Sequence, residues 1–171
     1  MNKPKAQPHL PSSSTNTAPL AASATIDVNP VVLHLTKVLG NTYSLGVTTH
    51  GAHWNVTGAG FFRLHAAFDA QYHELLEAAD EIAERIRALG AKAPVSMRQL
   101  LENSSLGDPP ASGDTDLVRA LRDDHRMVSQ LCHEALKVAD EAKDAVSVDL
   151  LTGRARAHDK TAWMLTASLG E

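Results

Sequence analysis

The chain of 171 residues contains a single cysteine, Cys132. That excludes an intrachain disulfide and a thiolate metal cluster, and it leads us to expect a reducing, cytoplasmic compartment with Cys132 as a buried spectator thiol. Aromatic residues are sparse at 4%, and with Ala, Leu, Glu and Arg plentiful the composition leans towards helices. No apolar run is long enough to span a bilayer, so no membrane association is expected; Lys3 and Lys5 are not followed by the apolar segment of a secretory leader. A surplus of positive charge is also missing, and the formal net charge of −4 argues against a uniformly basic nucleic-acid binder. There is no internal repeat. What is present, 43% hydrophobic residues, suits one domain with a sizeable core.

Residues 1–27 are rich in Pro, Ser, Thr, Ala and Asn without apolar periodicity, which predicts a disordered N-terminal tail ahead of a domain at 28–171. Asn29 followed by Pro30 is a helix start, and Val31, Leu35, Val38, Tyr43, Val47, His50 and Trp54 continue at helical spacing. Gly40, Gly46 and Gly51 weaken such a helix, so close packing is expected at them. After the break at Thr57 to Gly60, a second helix runs from about Phe61 to Leu89 and stops at Gly90. A long crossover with a short helix near Met97 to Glu102 leads to a third long helix through Leu117, Leu121 and Val128. A fourth begins after Ser147. The fold class predicted is all-α: a ferritin-like four-helix bundle with a short extra helix in the crossover between its second and third long helices.

The stretch from His53 to Glu84 carries the chemistry. His65 and Asp69 lie four residues apart, as do Asp80 and Glu84, so each pair projects from one side of a helix about one turn apart. Asp69 and Asp80 are eleven residues apart, close to three turns, and all four side chains share a sector of roughly 100°. Eleven residues also rise about 16 Å, whereas ligands of one ion sit about 2 Å from it, so one helix cannot use both pairs at one site. Two copies packed antiparallel about a two-fold axis can. His65 opposite Glu84 and Asp69 opposite Asp80 satisfy a single register with the axis between Glu74 and Leu75. The spacing therefore predicts a homodimer with two equivalent sites, each using His65 and Asp69 of one chain and Asp80 and Glu84 of the other. Taken singly, each pair also reads as an ordinary solvated helical pair.

Di-iron bundles usually build an internal centre from Glu-x-x-His motifs. No Glu here is followed by His three positions later, which leaves the intersubunit site as the better candidate. The run His53-Trp54-Asn55-Val56-x-Gly58, then Phe61-x-x-Leu64-His65-x-x-Phe68-Asp69, then Asp80-Glu81-Ile82-Ala83-Glu84-Arg85, resembles the Dps family, the DNA-binding proteins from starved cells. The likeness covers nearly all of the chain after the tail and extends to the closing Lys160-Thr161-Ala162-Trp163-Met164-Leu165.

The resemblance implies a hollow homododecamer built from two-fold dimers, with Fe(II)/Fe(III) ferroxidase centres at the two-fold interfaces. It adds His53 to His65, Asp69, Asp80 and Glu84 as catalytic metal ligands. It also implies hydrogen peroxide as the preferred oxidant, with ferric mineral stored in the cavity and DNA protected from oxidative damage. Trp54 is then a candidate radical sink, or else a core aromatic at a helix end. Asp140, Asp144 and Asp149 are candidates for an acidic iron-entry pore, or else ordinary surface carboxylates. The alternative function is a nucleoid-associated DNA-binding protein acting through the tail, with Lys3 and Lys5 as DNA contacts; such binding is expected to be weak and salt-sensitive. His50, His73, His125, His133 and His158 match no ligand position, and His158 reads as a hydrogen-bonded core residue.

Overall fold

Asn29 caps the first helix as its sequence suggests, its side chain accepting from the Val31 amide at 2.9 Å while Pro30 takes the first helical position. The computed structural model describes residues 29–109 and 113–171, so the predicted tail and its Lys3 and Lys5 lie outside the described residues. The described residues form five helices: α1 Pro30–Asn55, α2 Phe61–Ala88, α3 Met97–Glu102, α4 Asp114–Glu141 and α5 Ala145–Leu169, with a 3-10 turn at Gly58–Gly60 between the first two. Among them, none is long and apolar enough to cross a membrane.

The four long helices make a bundle in which α1 packs on α2 and α4, α4 on α5, and α2 on α5. Their apolar stripes meet in one core centred on Leu35, Leu45, Phe68, Leu75, Ile82, Ile86, Leu121 and Leu151, all fully buried. Asp114 at the start of α4 accepts from the Thr57 amide just past the end of α1, at 3.2 Å. The crossover therefore runs the length of the bundle and returns the chain parallel to α2, as a ferritin-like bundle requires.

Gly40 pins that crossover. A Cβ there would lie 2.7 Å from the Leu100 carbonyl oxygen and 2.8 Å from the carbonyl group of Asn103, both backbone. The neighbouring Asn41, fully buried, completes the seam by donating to the Asn103 oxygen at 3.2 Å and accepting from the Ser105 amide at 2.8 Å. Close packing was expected at Gly46 and Gly51 too, but a Cβ at Gly46 would meet Leu75 at an ordinary 3.6 Å and one at Gly51 would meet nothing. Gly40→Ala should lower stability by about 1–3 kcal/mol in spite of alanine's better helix propensity. Thermal unfolding checks the loss, and faster amide exchange at Leu100 to Ser105 checks its location; an unchanged or raised midpoint would refute the clamp.

The last helix starts earlier than expected, at Ala145 rather than after Ser147. Asp144 is the cap, accepting from the Ser147 amide at 3.1 Å, and Ser147 is a buried residue of the first turn. At the end of α2, Gly90 adopts φ +84°, a left-handed conformation that stops the helix as anticipated.

Candidate metal centre

The end of α1 and the first turns of α2 bring His53 and His65 face to face, rings stacked with centroids 3.8 Å apart. Each imidazole is tied to the backbone of the other. His53 Nδ1 bonds the His65 carbonyl oxygen at 3.0 Å, and His65 Nδ1 bonds the His53 carbonyl oxygen at 2.9 Å. A carbonyl only accepts, so both Nδ1 atoms carry the proton and both Nε2 atoms keep a lone pair. This is how a protein fixes the tautomer and orientation of a metal-binding histidine.

Asp69, one turn after His65, places Oδ1 3.9 Å from His53 Nε2. The Tyr72 phenol is held above its ordinary pKa, first by burial and then by the charge of and hydrogen bond to Asp69. Tyr72 also stacks on His50 at 3.9 Å, and His50 lies 4.1 Å from Trp54. Trp54 is 66% exposed, which overturns the reading of it as a core aromatic. His50 and Tyr72 were not picked out as neighbours of the site. Their signal was the spacing, with His50 four residues before Trp54 and Tyr72 three after Asp69.

Asp80 and Glu84 lie further along the free face of α2, both exposed. The chain does not bring them to His53, His65 and Asp69, in line with the helical rise worked out from the spacing. Among the described residues of a single chain, no three ligand-type side chains converge on one point.

A model of the ferritin-like domain matches residues 32–171. The chain is 36% identical over 143 residues to DNA protection during starvation protein 2 of Bacillus anthracis, covering 82% of this chain and 97% of that protein. The chain belongs to the Dps family. Among Dps structures, that of Listeria monocytogenes aligns with a TM-score of 0.80 at 29% identity, covering 86% of this chain and 97% of that one. Dps from Staphylococcus aureus aligns with a TM-score of 0.79 at 31% identity, covering 81% and 94% respectively.

The acidic residues considered for an entry pore in this Dps chain behave differently from one another. Asp140, Asp144 and Asp149 line one surface concavity of about 470 Å³ together with Lys143 and Thr152. Asp140 and Asp149 are exposed. Asp144 is not a loose carboxylate at the end of α4: it caps α5 and takes a 2.6 Å ion pair from Arg85. Burial would raise its pKa, but the bonds from Arg85 and Ser147 outweigh it and hold the carboxyl at about 2.

The bundle interior of this Dps chain is polar at one level. Arg154, buried on α5, donates to His158 Nε2 at 3.3 Å and to Glu74 of α2. His158 Nδ1 meets His125 Nδ1 of α4 at 3.0 Å. His158 is thus a hydrogen-bonded core residue as expected, and its partner His125 went unrecognised because its contact lies across two helices. Both imidazoles are pushed well below their ordinary pKa, His125 by burial and Arg154, His158 by burial, His125 and Arg154. Burial pushes the Cys132 thiol up to about 12, so it stays protonated and inert.

Proposed function

We propose that this chain is an iron-storing ferroxidase whose catalytic centres form only between two subunits. The observation that carries the reading is the locked pair His53 and His65, with both Nδ1 atoms tied to backbone carbonyls and His53 Nε2 facing Asp69. In the antiparallel register the partner's Asp80 and the partner's Glu84 close each centre from the other side. Imidazole and carboxylate donors suit ferrous iron, and a thiolate that would favour softer metals is lacking among these donors.

Hydrogen peroxide is the oxidant in this reading. Each of two ferrous ions gives up one electron, the O–O bond breaks, and both oxygens leave as water after taking up protons. No odd electron remains to make hydroxyl radical. Ferric product collects as oxyhydroxide inside a hollow homododecamer, and DNA is protected because iron and peroxide are removed together. The exposed Trp54 beside the centre is suited to quench stray oxidising equivalents. The family membership and the relatives named for DNA protection during starvation support this role.

Anaerobic ferrous loading followed by peroxide tests it. Asp69→Ala and Glu84→Ala should each slow rapid oxidation by at least about tenfold while assembly persists. Because the two residues serve one centre from different chains, co-assembling the two variants should restore activity: a mixed dimer keeps one intact centre, so random pairing recovers about a quarter of them. Normal oxidation in both single variants defeats the site assignment, and no recovery on mixing defeats the sharing between subunits.

A further inference from the structure

Tyr72 gathers the side chains beside the proposed centre around one ring. It is half-buried on α2, three residues after Asp69. The ring stacks on His50 of α1 with centroids 3.9 Å apart and planes inclined by 19°, and it stands 4.1 Å from the His73 ring and 5.7 Å from that of His53. His50 in turn rests against Trp54 at 4.1 Å. Tyr72 is therefore held from α1 as well as by its own helix, and packing of this kind locks the place of its hydroxyl.

That hydroxyl bonds the Asp69 carboxylate. An ionised carboxylate only accepts and a phenol has one proton, so Tyr72 is the donor and its proton is committed to Asp69. The Asp69 side chain is 50% exposed, and the imidazole nitrogens of His53 and His73 stand 3.9 Å from it, beyond hydrogen-bond reach. The phenol is thus the group that orients this carboxylate while Oδ1 faces His53 Nε2. A carboxylate held in advance need not be ordered by the ion it receives, and hydrogen bonds of this kind to ligating side chains typically govern metal affinity by about 10–100-fold.

We propose that Tyr72 is a positioning residue of the intersubunit centre, its hydroxyl holding the Asp69 carboxylate towards His53. The proposal rests on the ferroxidase reading above and deepens it. Tyr72 keeps its proton throughout and does not itself bind the ion.

Cobalt(II), added anaerobically to the assembled protein and followed by its visible absorption and by calorimetry, tests this without turnover. Tyr72→Phe keeps the ring and its stacking and removes only the hydroxyl. It should weaken binding by at least about tenfold, with stoichiometry and particle size unchanged. The protein has two tyrosines, Tyr43 and Tyr72, so a phenol signal is assignable. The near-ultraviolet tyrosine difference band on cobalt binding should persist in Tyr43→Phe and vanish in Tyr72→Phe. If Tyr72→Phe binds cobalt as tightly as wild type while Asp69→Ala loses it, the ring only fills space: the positioning role is overturned and the centre stands. If Asp69→Ala binds as tightly as wild type, Asp69 is no ligand and both readings fall.

Discussion

Between about pH 7 and pH 5 the folded protein is expected to lose stability steeply, and His125 and His158 are the cause. Arg154 can only donate, so His158 Nε2 accepts, and its proton sits on Nδ1 and goes to His125 Nδ1. The proton of His125 is then on Nε2, a buried atom with no partner. A further proton on either ring breaks this line and sets a second buried cation beside Arg154. Both folded pKa values accordingly lie far below the ordinary 6.5. As the pH falls below 6.5 the unfolded chain takes up protons that the folded chain refuses, so stability is full above that value and drops as acid is added. Each histidine contributes a loss approaching about 1.4 kcal/mol per pH unit, or about 2 kcal/mol by pH 5.

Other groups near the pair do not reverse the sign. Glu74 of α2 pairs with Arg154, Asp159 of α5 accepts from Ser129 at 2.6 Å, Cys132 stays protonated, and the buried residues of α1 are all non-ionisable. Asp124 works in the opposite sense: burial, then the charge of Asp123, raises it to about 6, so its contribution weakens the fold as pH rises and offsets part of the acid loss. Asp144, with its pKa lowered, contributes to acid loss only below 3.8. Denaturant melts across this pH range should show the slope, and the His125→Asn/His158→Gln double variant should flatten it whatever its stability at neutral pH. A variant that keeps the wild-type slope would remove the pair from the account.

Glu74→Ala is the second large effect. Arg154 is 8% exposed in its side chain, its Nε has no partner, and Glu74 is the carboxylate that balances its charge. Removing that carboxylate leaves a guanidinium in the bundle interior without a counter-ion. The cost should be about 2–3 kcal/mol, below that of a wholly buried pair because Glu74 is itself 47% exposed and water can take its place. Arg154→Met also destabilises, since His158 Nε2 loses its donor, but it frees Glu74 to face solvent. The discriminating result is the double variant: with Arg154 already replaced, losing Glu74 should cost no more than about 0.5 kcal/mol further. Additive losses in denaturant melts would mean that the two residues act separately. Glu74 also stands beside the proposed two-fold axis, so particle size should be followed in the same samples.

The sequence by itself determined what depends on one helix at a time. Asn29-Pro30 and Gly90 marked helix ends because caps are local chemistry, and the stripe from Leu64 to Ile86 marked the buried side of α2 because its period is 3.6 residues. The spacing of His65, Asp69, Asp80 and Glu84 along α2 was legible in the same way, including that one chain does not bring the two pairs together. Contacts between helices were not legible, since they depend on how far each helix is turned and slid against the next, and no repeat within one helix records that. Only the tertiary structure decided that His53 and His65 lock each other's tautomers, that Arg85 occupies Asp144, and that Gly40 lies against the crossover backbone. The same holds for the line from Glu74 through Arg154 and His158 to His125, whose four members come from three helices and meet only when the bundle closes.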